Sequence, residues 1–110
     1  KRPAMGDAAT RLADRVLLTS DNPRSEDPDA IADQVCAALS DAQLARVIRE
    51  LDREAAIRTA IAEATPRDVV LIAGKGHETV QVDARGSHPF DDRTVAQAAL
   101  DERATMELTG

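Results

Sequence analysis

Two short apolar runs in this chain each lead directly into a polar loop that contains proline or glycine. The first ends at residues 16–18 and passes through Thr19 and Ser20 into the loop Asp-Asn-Pro-Arg at 21–24. The second covers residues 69–73 and ends in Gly-Lys-Gly-His-Glu at 74–78. Continuous apolar runs are typical of parallel strands buried on both faces. The chain is therefore expected to adopt an α/β fold whose loops emerge at the carboxyl edge of the sheet, where such folds bind ligands.

Helical patterns alternate with these strand signals, as expected for a parallel sheet with helices on its faces. Acidic residues mark helix starts at Asp27, which precedes Pro28, at Asp52, and at Asp91 or Asp92. A short strand is favoured over a helix within 43–51, and an edge or hairpin strand is predicted at 79–82. The apolar helix stripes are Met5, Ala8, Ala9 and Leu12; Ile31, Val35 and Leu39; Ile57, Ala60, Ile61 and Ala64; and Val95, Ala96, Ala99 and Leu100.

Charged residues of the helix after Asp52 are predicted to lie on its solvated face: Arg53, Glu54, Arg58 and Glu63.

The first helix begins with no strand before it. An α/β unit that opens on a helix suggests a missing upstream strand.

Composition excludes several classes of partner. The 110 residues are 43% hydrophobic but include one Phe and no Trp or Tyr, so aromatic platforms for stacking bases are absent. A net charge of -6 argues against a nucleic-acid or anionic-membrane surface, and no apolar run is long enough to span a membrane. The lone Cys36 allows neither an intrachain disulfide nor a cysteine-rich metal site, which fits a cytoplasmic protein. We therefore expect neither nucleic-acid binding nor membrane insertion.

The loop 21–24 presents an acid and a guanidinium on a stiff backbone, because Pro23 fixes its own φ and restricts Asn22. Opposite charges held in this way suit a zwitterionic ligand. In the second loop Lys75, His77 and Glu78 supply charge around the two glycines, although such glycine pairs also form ordinary tight turns. That loop is neither a Walker A sequence nor a complete dinucleotide fingerprint.

No pair of histidines stands at the spacing of metal ligands, so a zinc site is not expected. Asp91 and Asp92 raise the question of magnesium, but consecutive acids before a helix more often cap it. We predict no metal site in this chain.

Four motifs occur in an order that resembles the carboxyl-terminal domain of the Mur ligases, and above all the members of that family that add meso-diaminopimelate. The resemblance covers nearly the whole chain, and the loop 21–24 is its most specific part. The motifs are Lys-Arg-Pro at 1–3 with Met5 and Gly6, the loop 21–24 with Ser25 and Glu26, residues 74–78 with Gln81, and Phe90 to Arg93.

The resemblance implies a fold, an activity and its substrates. The fold is Rossmann-like and three-layered, a mostly parallel sheet with helices on both faces, here lacking its first strand. The activity is an ATP-dependent ligation that joins meso-diaminopimelate to UDP-N-acetylmuramoyl-L-alanyl-D-glutamate through an acyl phosphate, in bacterial peptidoglycan synthesis.

The resemblance also implies roles for individual residues. Arg24 would bind the distal carboxylate of the diamino acid, a paired contact that lysine cannot copy. Asn22 and Glu78 would receive its distal ammonium, with the backbone of Gly74 close by. The remaining members of the implied site are Asp21 and Pro23, which shape the loop, and Lys75 and His77 as weaker candidates.

The family's P-loop and magnesium ligands are not found in this sequence. Residues 1–110 are therefore interpreted as the amino-acid-binding domain alone, with ATP and Mg²⁺ held mainly by a central domain, no catalytic residue of its own and no activity in isolation. Two alternatives stay open: a related ligase for another amino acid, and a non-catalytic α/β module that binds a ligand or a partner.

Overall fold

The computed structural model describes residues 1–74 and 78–109, and within those ranges the chain forms five helices and four short strands. None of the described helices combines the length and the hydrophobicity that a membrane crossing needs. In chain order the elements are α1 (Arg2–Leu12), β1 (Val16–Leu18), α2 (Pro28–Cys36), α3 (Asp41–Leu44), β2 (Val47–Arg49), α4 (Arg53–Glu63), β3 (Val80–Asp83), β4 (Gly86–Pro89) and α5 (Asp92–Thr109).

Acidic side chains begin three of the helices, as the sequence predicts. The Asp27 carboxylate accepts a hydrogen bond from the backbone N–H of Asp29 at 3.0 Å. Pro28 takes the first helical position, where a backbone N–H would have no partner within the helix, so proline loses nothing there. The other two caps are Asp52, whose carboxylate lies 3.2 Å from the N–H of Ala55 in α4, and Asp91, whose carboxylate lies 3.0 Å from the N–H of Arg93 in α5.

β1 and β2 form a parallel pair in which Val16 lies opposite Val47 and Leu18 opposite Arg49. The short strand predicted within residues 43–51 is therefore confirmed as β2. The single helical turn α3 before it is not predicted, although Ser40 and Gln43 exchange the two hydrogen bonds of a capping box.

The prediction of a strand buried on both faces at residues 69–73 is wrong for this chain. The segment pairs with no strand among the described residues, and Val69 and Leu71 are 93% and 86% exposed. Ile72 alone packs against the main core. The reason is that, among the described residues, β1 is bonded to β2 alone, so no neighbouring strand supplies hydrogen bonds that would hold residues 69–73 in a sheet with covered faces.

β3 and β4 form the antiparallel hairpin that the alternation at 79–82 predicts. Val80 lies opposite Pro89, and Asp83 opposite Gly86, which closes a tight turn with a φ of +116°. Described residues thus form one parallel and one antiparallel pair, which is less than the three-layer sheet expected.

The main core lies between α4 and α5. Ile57 and Ile61 are buried there, as their predicted stripe requires, together with Ala99 of α5. The half-buried side chains packed around them are Ile72, Phe90, Val95 and Ala96.

α1 packs on α2 through small residues and not through the apolar stripe predicted for it. Met5 and Leu12 are 61% and 89% exposed, whereas Gly6 and Thr10 are buried. A Cβ at Gly6 would lie 2.2 Å from the carbonyl oxygen of Val35, so the glycine permits an approach that no other residue would allow. Close backbone contact has therefore decided which face of α1 turns inward.

Candidate functional site

The candidate site begins with the loop 21–24, which leaves β1 and docks on the backbone of β3. The N–H of Arg24 donates to the carbonyl oxygen of Val82 at 2.9 Å. In return the N–H of Val82 donates to Oδ1 of Asn22 at 2.8 Å, and Pro23 between them is buried. The loop thus satisfies both backbone groups of one strand residue, which fixes its position on the hairpin.

Two more contacts hold the first residue of the loop. The side-chain amide of Gln81 donates to the carbonyl oxygen of Asp21 at 2.9 Å. The carboxylate of Asp21 faces Gly74, because a Cβ built on that glycine would lie 3.6 Å from Oδ2. The ends of the two loops that the sequence singles out are therefore neighbours in the structure.

Asn22 connects the two predicted parts of the site directly. Its Nδ2 donates to Oε2 of Glu78 at 3.2 Å, across 56 positions of the chain. Since Oδ1 of the same amide accepts from Val82, the side chain of Asn22 is oriented at both ends. An amide so fixed holds the Glu78 carboxylate, which is exposed, at a defined place beside the loop.

Arg24 has an unusual backbone for a residue with a side chain. Its φ is +56°, the one positive value among the described non-glycine residues. The left-handed conformation costs an L-residue about 1–2 kcal/mol, so the docked loop holds it against an intrinsic preference. Arg24 is exposed and lines a shallow pocket of about 200 Å³ with Glu26 and Arg85.

The far end of the loop is tied to α1. Both terminal nitrogens of Arg2 bond to the carboxylate of Glu26, at 2.9 and 3.0 Å. This hydrogen-bonded pair lowers the pKa of Glu26 and raises the pKa of Arg2. The Lys-Arg-Pro motif is thus joined to the loop 21–24 through the glutamate that follows it.

Gly74 has a φ of +112°, a conformation that favours glycine. The predicted candidates Lys75 and His77 lie outside the described residues. In the part of the chain that the structure describes, no three His, Cys, Asp or Glu side chains gather where they could hold a metal ion.

The sequence reasoning missed Arg53, which it placed on the solvated face of α4. Arg53 is 3% exposed and hydrogen-bonds to the carboxylate of Asp92. The available signal is its spacing, because Arg53 stands four and eight residues before Ile57 and Ile61 and so shares their inward stripe.

Comparison with known proteins assigns this chain to a family. The family described as "Mur ligase, glutamate ligase domain" matches residues 1–76. This chain belongs to the Mur ligase family. The family resemblance stated from the sequence motifs is therefore confirmed.

Several curated relatives of this Mur ligase chain carry the name UDP-N-acetylmuramoyl-L-alanyl-D-glutamate--2,6-diaminopimelate ligase. The relative from Synechococcus elongatus is 53% identical over 103 residues, which are 94% of this chain and 20% of the relative. The relative from Geobacillus kaustophilus is 52% identical over 103 residues, 94% of this chain and 21% of the relative. The chain thus spans about a fifth of the length of the curated relatives it matches.

A solved structure shows the same fold. It is a UDP-N-acetylmuramoyl-L-alanyl-D-glutamate--2,6-diaminopimelate ligase that superposes with a TM-score of 0.88 at 39% identity, over 94% of this chain and 21% of that one. The α/β fold of a Mur ligase is therefore shown for nearly all of the chain.

Proposed function

We propose that this chain is the amino-acid-binding domain of an ATP-dependent ligase that adds meso-diaminopimelate to UDP-N-acetylmuramoyl-L-alanyl-D-glutamate, in the cytoplasm, during peptidoglycan synthesis. The observation that carries the proposal is the 3.2 Å bond that brings Glu78 to Asn22, next to Arg24. The bond holds the Glu78 carboxylate beside the loop that carries Arg24, and an acid and a guanidinium are the groups that would pair with the two charges at the far end of a diamino acid. The names of the curated relatives support the same substrate.

In this proposal each charged group of the site recognises one group of the amino acid. The Arg24 guanidinium binds the distal carboxylate through two parallel hydrogen bonds, and the Glu78 carboxylate, oriented by Asn22, receives the distal ammonium. The backbone of Gly74 approaches the same end of the ligand, while Asp21 and Pro23 shape the loop. Lysine lacks the distal carboxylate and cannot form this pair of charge-assisted bonds, so the site favours meso-diaminopimelate over lysine.

We place ATP and Mg²⁺ on the part of the ligase outside this chain. The described residues assemble no metal site, and the sequence contains no P-loop. The residues of this chain bind and orient the amino acid, and the chain alone is expected neither to hydrolyse ATP nor to form an amide bond.

The exposed segment 69–73 supports a further element of the proposal. A strand from elsewhere in the complete protein that paired with this segment would place Val69 and Leu71 within a larger sheet, whose faces helices cover. The two-stranded sheet β1–β2 would then extend into the Rossmann-like, three-layer sheet that the family resemblance implies.

The test is ligation by the complete protein with MgATP, the UDP-N-acetylmuramoyl dipeptide and a panel of amino acids. We expect phosphate release and a tripeptide product of the correct mass with meso-diaminopimelate, and little of either with lysine. A preference for lysine or another amino acid would favour a related ligase. No turnover with any amino acid would favour a binding module.

A further inference from the structure

The buried guanidinium of Arg53, at the start of α4, joins four segments of the chain. Its Nε and Nη2 each lie 2.7 Å from a carboxylate oxygen of Asp92, the first residue of α5. Arg53 and Asp92 are 3% and 7% exposed, so this is a buried, two-pronged ion pair. The pair ties the amino-terminal ends of the two helices that enclose the main core.

The other hydrogen bonds of the guanidinium go to the bases of the two site loops. Nη1 donates to the carbonyl oxygen of Ser20 at 3.0 Å, and Nη2 to that of Ala73 at 3.1 Å. Ser20 directly precedes Asp21, and Ala73 directly precedes Gly74. One planar side chain therefore bonds to the bases of both loops that the proposed function uses.

Neighbouring atoms show how tightly this junction is built. A Cβ on Gly74 would lie 3.6 Å from Oδ2 of Asp21 and 3.9 Å from Nη1 of Arg53. A lysine ammonium has no planar fork and would not reproduce the fixed directions of four hydrogen bonds.

A buried ion pair is weak evidence of stabilisation, since apolar replacement of both partners is often neutral or stabilising. Stability alone therefore gives little reason to place this pair beneath the loops.

We propose that Arg53 is a positioning residue for amino-acid binding, which holds the loop 21–24 and the Gly74 segment at the separation that the ligand requires. This inference rests on the proposed function. Arg53 is buried beneath the loops and acts through the carbonyl groups of Ser20 and Ala73. Its loss should raise KM for the amino acid and leave binding of ATP unchanged.

The decisive variant is the double substitution Arg53→Met with Asp92→Leu in the complete ligase. It removes both charges together, so no buried ion is left alone, but it also removes the bonds to Ser20 and Ala73. We expect a cooperative melt above the assay temperature, a KM for meso-diaminopimelate raised tenfold or more, and a KM for ATP within twofold of wild type. The single variant Arg53→Lys keeps the charge beside Asp92, so its KM for meso-diaminopimelate should lie between those of the wild type and the double variant.

Arg58→Met is the matched control. Arg58 lies on the same helix, bonds at 3.0 Å to Glu54 within α4 and reaches α5 through a 2.7 Å bond to Glu102, but both bonds lie at the surface. Its KM for meso-diaminopimelate should stay within twofold of wild type.

A folded double variant with an unchanged KM for the amino acid would overturn the positioning role. If the double variant does not fold, Arg53→Lys is judged by the same criterion, and unfolding of both would show that Arg53 serves folding instead. Failure of the proposed function looks different, because the wild-type ligase would then not use meso-diaminopimelate at all.

Discussion

Arg24 offers the sharpest test of the proposed site, because its backbone and its side chain make separable contributions. Three substitutions in the complete ligase distinguish them: Arg24→Ala, Arg24→Gly and Arg24→Lys. Alanine removes the guanidinium and keeps the unfavourable φ of +56°, whereas glycine removes the guanidinium and relieves that backbone. Lysine keeps a positive charge without the planar fork.

The expected loss of specificity follows from the unpaired carboxylate. Leaving the distal carboxylate of meso-diaminopimelate without its guanidinium should cost about 2–4 kcal/mol, which is roughly thirty-fold or more in apparent affinity. Lysine as substrate has no such group and should be used no worse. The ratio of kcat/KM for meso-diaminopimelate over lysine should therefore fall thirty-fold or more in both Arg24→Ala and Arg24→Gly, and less in Arg24→Lys.

Thermal or denaturant unfolding of the same variants supplies the internal control. Arg24→Gly should be more stable than Arg24→Ala by about 1 kcal/mol, because only glycine adopts the left-handed conformation without strain. An unchanged substrate ratio in Arg24→Ala would refute the reasoning and leave the loop 21–24 as a structural turn. Equal stability of the two variants would show instead that the loop relaxes when the guanidinium is lost.

Three further predictions concern the isolated chain. Gly6→Ala should destabilise the chain by about 1–3 kcal/mol despite alanine's better helix propensity, since the new Cβ would meet the Val35 carbonyl oxygen at 2.2 Å. Chemical denaturation measures the free energy of unfolding, and a more stable variant would contradict the contact. The bond from Arg2 lowers the pKa of Glu26, so the ion pair stabilises the fold above the unfolded pKa of about 4.5, and this stabilisation is lost as pH falls through the lower folded pKa. The difference in melting temperature between wild type and Glu26→Gln should therefore vanish in acid. A difference independent of pH would count against the pair. The isolated chain should self-associate through its uncovered apolar segment, and Leu71→Lys should reduce this association in sedimentation because the Leu71 side chain is 86% exposed. Equal association of the wild type and the variant would place the contact elsewhere.

Local chemistry made much of the secondary structure predictable. Asp27 followed by Pro28 strongly predicts a helix start, because the carboxylate accepts a hydrogen bond from a first-turn N–H and proline has no N–H that needs a partner. The apolar run before the loop 21–24 likewise predicts β1, because the polar residues after it must reach the surface.

Tertiary contacts account for what the sequence did not reveal. An arginine at the start of a helix is usually solvated, and Arg53 is buried because distant segments supply its partners, among which Asp92 provides the opposite charge. The segment 69–73 shows the converse, since an apolar composition predicts burial only where a neighbouring strand exists to provide it. The inward face of α1 was set by Gly6, a residue that carries no hydrophobic signal.

Docking of the loop 21–24 on β3 has a consequence for the order of folding. The two hydrogen bonds that Gln81 and Val82 donate to the loop each span 60 positions of sequence. At typical synthesis rates, about 3 to 12 seconds pass between the appearance of the loop and that of its supports. Contacts this distant close late and slowly. The loop should therefore be among the last parts of the domain to order, and a substitution in the hairpin turn can alter a surface that lies sixty residues earlier in the chain.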